Sequence, residues 1–124
     1  MKIEFTSFGD AGNIEDERIG FRVLESCDLK FFAVYHTRKT ENGFYNRPKH
    51  VFWFYPKNVT VGDEIVLYTK KGTDNIEERD DHTVHFLYWG LEDTIIKEGD
   101  CIVISEINDW SVHVCGGNNP QMHV

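Results

Sequence analysis

The side chains best suited to soft-metal chemistry gather near the C-terminal end of the chain. His113 and Cys115 stand two residues apart, so on a strand their side chains would share a face, and His123 follows in the last residues. A closed structural zinc site takes four ligands at about 2.0–2.3 Å. Cys27, Cys101 or His36 would have to complete such a set from elsewhere in the fold. The ordinary alternative is a Cys115 that packs as a small apolar residue and a His113 that lines an edge, since free cysteine is among the most buried side chains. No bound cofactor is expected; His113, Cys115 and His123 are the residues a metal would use.

Other spacings carry less. His82 and His85 are three apart, which on a strand sends them to opposite faces. The acidic run Glu77-Glu78-Arg79-Asp80-Asp81 offers oxygen ligands but lacks the spaced Asp/Asn-Gly pattern of a calcium loop, and reads as a solvated hairpin tip. No cysteine has the basic neighbours or helix N-terminus that would activate a thiolate, and Asp100 opposes one at Cys101. Nucleophile elbow, phosphate loop and His-Glu-x-x-His are all missing. No catalytic residue is assigned, and the chain is expected not to be an enzyme.

Aromatic side chains offer a different kind of chemistry. Val51-Phe52-Trp53-Phe54-Tyr55 and Phe86-Leu87-Tyr88-Trp89 place rings on both faces of a strand. One face fills a core; the other leaves rings free to stack on a sugar or base, or to anchor an interface. Trp53, Tyr55, Tyr88 and Trp89 are therefore the candidate binding residues.

These residues must be positioned by strands. Period-two alternation dominates and helical periodicity is nearly absent. The pattern predicts strands over Lys2–Phe8, Arg18–Ser26, Lys30–Thr37, Val51–Tyr55, Glu64–Thr69, Thr83–Trp89, Cys101–Glu106 and Trp110–Cys115, with single helical turns near Glu15–Glu17 and Glu92–Ile96. Asn42-Gly43 is a hairpin signal, but its polar flanks predict a longer loop from Thr37 to Lys49. Val61-Gly62-Asp63-Glu64-Ile65-Val66-Leu67 and Glu98-Gly99-Asp100-Cys101-Ile102-Val103-Ile104 repeat one grammar, a Gly-Asp turn entering an apolar strand. Two copies do not make a solenoid; they read as one turn chemistry used twice in a sandwich.

The chain of 124 residues suits one domain, here 1–115, with 116–124 as a C-terminal tail. Nine Phe, five Tyr and three Trp supply enough apolar area for a small sheet core. Three widely spaced Cys are not a disulfide framework, no apolar leader opens the chain, and no run approaches the ~20 apolar residues of a membrane-spanning helix. A cytoplasmic protein without a membrane span is expected. The net charge of −8 is uneven: residues 1–62 hold nine Lys/Arg against eight Asp/Glu, and residues 63–124 four against thirteen. That balance argues against nucleic acid as a partner, because phosphate binding depends on clustered cations. Arg38, Lys39, Arg47, Lys49 and Lys57 around one loop read as an ordinary solvated surface.

Three blocks resemble the lamin tail domain. They are Cys27-Asp28-Leu29-Lys30-Phe31-Phe32-Ala33-Val34; Phe54-Tyr55-Pro56 through Val61-Gly62-Asp63-Glu64-Ile65-Val66-Leu67; and Tyr88-Trp89-Gly90 followed by Gly99-Asp100-Cys101-Ile102-Val103-Ile104. Phe31-Phe32 stands where the family usually has Gly-Trp. The resemblance implies an all-β, immunoglobulin-like antiparallel β-sandwich of about 7–9 strands and a non-catalytic module that contacts other macromolecules. A protein partner or a second copy of the chain is the expected ligand; a sugar or nucleotide stacked on the exposed aromatics is the alternative, and a metal-binding protein the next.

Overall fold

A computed structural model describes residues 1–116. Eleven strands run in the order β1 (Ile3–Gly9), β2 (Arg18–Val23), β3 (Cys27–Asp28), β4 (Phe32–Thr40), β5 (Gly43–Phe44), β6 (His50–Trp53), β7 (Asn58–Val59), β8 (Glu64–Tyr68), β9 (Asn75–Glu78), β10 (Thr83–Tyr88) and β11 (Asp100–Glu106). The only helical element among the described residues is a 3₁₀ turn, Leu29–Phe31, between β3 and β4. The larger sheet has the order β1-β2-β8-β10-β9. In the smaller sheet β4 is central, with β11 on one side and β6 then β5 along the other; β3 and β7 form a separate two-stranded ladder.

The sandwich follows from alternation. Ile19, Phe21 and Val23 of β2 and Ile65 and Leu67 of β8 point inward from the larger sheet, and Phe32 and Val34 of β4 meet them from the smaller one. Phe54 sits among them, packed edge-on to Phe21 at 6.4 Å between ring centroids. Arg18, Arg22, Glu64 and Tyr68 alternate outward.

Several features differ from the sequence expectation. Among the described residues there are eleven strands rather than seven to nine, because four of them are two-residue ladders or an edge strand with no buried residue. The sheets are not wholly antiparallel: β10 runs parallel to β8, because the chain leaves β8, builds β9 at the edge, and turns back to insert β10 between them. Arg79–His82 is the tip of that β9–β10 hairpin, so the acidic run straddles strand and turn. The chain after Thr37 continues as strand to Thr40 and turns tightly, with Gly43 paired to Thr40, where a long loop was expected. Trp110–Cys115 is not a strand: Val112 and Val114 have no neighbouring ladder, and both are exposed.

The strand expected from Lys30 begins instead at Phe32. The Asp28 carboxylate accepts the backbone N–H groups of Lys30 and Lys57, each at 3.0 Å, and winds the intervening residues into the 3₁₀ turn. A second carboxylate, this one buried, organises another loop. Glu17 is fully buried and accepts hydrogen bonds from Gly12 N at 2.8 Å, Thr69 Oγ1 at 2.7 Å, Ile95 N at 2.8 Å and Ile96 N at 3.3 Å. Four donors satisfy the charge that burial would otherwise penalise. They also tether the loop from Trp89 to Gly99, which sequence patterning assigned a helical turn and which carries none.

Candidate functional site

Alternation along β6 decides which rings are free. Phe52 and Phe54 turn inward, and Trp53, Tyr55 and Val51 turn out, with Tyr55 82% exposed. The outward face is extended by two residues from other segments. Trp110 meets Trp53 edge-on, 5.4 Å between ring centroids, and Phe31 lies 5.8 Å from Trp110. The Trp53 indole N–H donates to the Lys30 carbonyl at 2.7 Å, which fixes the ring. The Lys30 ammonium sits 5.2 Å from the Phe31 ring. The result is an ordered aromatic surface on the smaller sheet.

The other two candidate aromatics lie elsewhere. Tyr88 is on the outer face of the larger sheet, stacked on Tyr68 at 5.3 Å. Trp89 packs against Phe52 at 5.8 Å and belongs to the rim of the core. The four candidates therefore do not form one site: Trp53 and Tyr55 share a face, while Tyr88 and Trp89 serve packing. Trp110 and Phe31 were missed, since only the path of the chain after β11 carries Trp110 to Trp53 and onto Phe31 of the 3₁₀ turn.

The metal candidates lie at the end of the described residues and beyond it. His113 and Cys115 are exposed, the His113 ring hydrogen-bonds Ser111 Oγ at 3.0 Å, and His123 lies outside the described residues. Among the described residues no three His, Cys, Asp or Glu side chains converge to hold a metal ion.

The repeated Gly-Asp turns build a feature that local spacing did not reveal. Gly62 and Gly99 both take positive φ, 92° and 89°, a conformation that favours glycine. Each delivers its aspartate to a histidine on a neighbouring strand. Asp63 Oδ2 lies 2.9 Å from His85 Nε2 on β10, and Asp100 Oδ2 lies 2.8 Å from His36 Nε2 on β4. One clasp ties each sheet.

The two clasps differ in what lies beyond them. The Asp63 carboxylate also accepts Thr60 N and Thr83 N, each at 3.0 Å. Burial pushes its pKa up, but the hydrogen bonds from His85, Thr60 and Thr83 outweigh this and leave it below the ordinary carboxylate value. The other His85 nitrogen, Nδ1, is buried without a partner among the described residues, so this clasp ends inside the protein. The Asp100 clasp continues. His36 Nδ1 lies 3.0 Å from His50 Nδ1, and the two rings are nearly parallel, 9° apart. The His36 hydrogen bond draws the Asp100 pKa down against the effect of burial. Burial, with His36 and Lys49 close by, pushes the His50 pKa below its ordinary value. His36 and His50 help to line a cavity of about 590 Å³ whose far wall is the Glu17-tethered loop.

No family model, no curated protein and no solved structure matches the chain. Among the described residues no helix is long and apolar enough to cross a membrane.

Proposed function

We propose that this chain is a non-catalytic protein-interaction module with an immunoglobulin-like sandwich resembling the lamin tail domain, and that it engages its partner through the outer face of β6. One observation carries the reading: Trp53, Trp110 and Phe31 form an ordered cluster with exposed Tyr55 and Val51 beside it. Contiguous exposed aromatic surface marks interaction sites, and Trp and Tyr dominate interface energetics. A protein partner suits this face better than a sugar or base. The Trp53 N–H is consumed by the Lys30 carbonyl, and Trp110 stands edge-on against the indole rather than leaving both ring faces open. Cys27, Cys101 and Cys115 are all free thiols, which fits a reducing, cytoplasmic setting. The test is quantitative affinity capture from the cells that make the protein, with wild type compared against Val51→Ser/Tyr55→Ala. Those two side chains are exposed, so the double variant should keep its melting temperature and lose the partner.

A further inference from the structure

The cavity beside His50 is separate from the aromatic face and is lined mostly by polar and charged side chains. Its volume, about 590 Å³, lies within the range of small-molecule pockets. At its floor is a preorganised chain of polar groups, Asp100–His36–His50, in which the His36 and Asp100 side chains are only 3% and 10% exposed. With Asp100 ionised, His36 Nε2 must donate to it. With His36 neutral, its Nδ1 is the acceptor, and His50 Nδ1 the donor, across their 3.0 Å contact. That assignment leaves His50 Nε2 as the chain's free end, with no hydrogen bond among the described residues.

The charges around that free end have a sign. Lys49 immediately precedes β6, Lys97 lies on the loop that leads into Asp100, and neither forms an ion pair among the described residues. Both add positive potential at Asp100. Lys71 is already paired with Glu92 at 3.3 Å, which leaves Asp93 as the one unpaired acid in the lining. The three lysines of the lining exceed its two acids by one, and ionised Asp100 beneath them offsets that excess, so it is protonation of His50 that makes the site cationic.

We propose that this cavity binds a small oxyanion, a phosphate or carboxylate group, between Lys49, Lys97 and the Nε2–H of a protonated His50. The arrangement accepts one proton without rearranging. A proton added at His50 Nε2 leaves the Nδ1–H···Nδ1 contact and the His36–Asp100 bond in place, and Asp100 balances its charge. Burial, with His36 and Lys49 close by, disfavours the protonated form of His50 when no anion is bound. An anion at Nε2 offsets that penalty, so proton and anion binding are reciprocal and each tightens the other.

The test is a titration with sulfate and, separately, acetate, read through the ring nitrogens of His50 by ¹⁵N NMR, with chloride at matched ionic strength as control. Both probes keep their charge between about pH 6 and about pH 8, so a pH effect on binding reports the histidine. The proposal expects saturable binding of at least one probe, roughly tenfold tighter at the lower pH. Lys49→Ala/Lys97→Ala, at two exposed positions, should weaken it roughly tenfold, the scale of one charge-assisted contact. His50→Gln should abolish its pH dependence. A preference for sulfate or for acetate identifies the ligand as phosphate-bearing or carboxylate-bearing. Three results would each overturn the proposal: no response beyond the chloride control, binding that ignores pH, or binding unchanged in the lysine variant.

Discussion

Asp63 and Asp100 stand at the same place in the two halves of one sequence repeat, yet they face different demands. Asp63 accepts three hydrogen bonds and Asp100 one from protein groups. Removing an acceptor strands its buried donors at about 1–3 kcal/mol each, tempered by water. Asp63→Ala should therefore cost about 3 kcal/mol or more and Asp100→Ala about 1–2 kcal/mol in urea unfolding; an equal cost would mean that the clasps are not anchored as described. The same groups set the response to acid. The folded-state pKa of His50 is depressed, so in the window below about 6.5 the unfolded chain binds more protons and stability falls as pH falls. The depressed pKa values of Asp28, Asp63 and Asp100 act in the same direction lower down. Their contribution is complete above about pH 4 and is lost as pH drops through the folded values. Unfolding midpoints measured from about pH 8 downward should decline in two stages, first near the histidine range and then near the carboxylate range. The repeat was legible in the sequence as shared turn chemistry. Its histidines were not, because His36 and Asp100 are 64 residues apart and meet only through the β4–β11 register.

Strand by strand, alternation was a sound guide wherever one face is buried. The inward sets of β2 and β8 and the outward turn of Trp53 and Tyr55 are all readable from period two. It failed where a segment has no buried face. β9 is exposed at every position and takes its structure from pairing with β10, while residues 110–115 alternate in sequence without any ladder to join. The parallel β8–β10 pair was equally hidden, since strand order is a property of the connections. Gly72 tests the packing of the larger sheet's outer face. A Cβ there would run into the ring of Tyr88, which is stacked on Tyr68, whereas a Cβ at Gly43 meets nothing within 4 Å. Gly72→Ala should cost about 1–3 kcal/mol by overpacking, and Gly43→Ala should change stability by well under about 1 kcal/mol. Equal effects would place Tyr88 elsewhere.

At the scale of the whole molecule, the two candidate sites lie on different parts of the smaller sheet and use opposite resources. The β6 outer face offers rings and little charge; the His50 cavity offers cations and proton exchange. They should be separable, since neither Val51 nor Tyr55 lines the cavity and both side chains turn to the outer face. The acidic excess of residues 63–124 favours partners that are neutral or basic where they approach the module. The most direct measurement is the affinity capture of wild type against Val51→Ser/Tyr55→Ala, with a second, differently tagged copy of the chain co-expressed so that self-association is scored alongside other partners. The account predicts that at least one protein is retained by wild type and lost by the variant at an unchanged melting temperature. Partners held equally by both would contradict the assignment of the aromatic face as the binding surface.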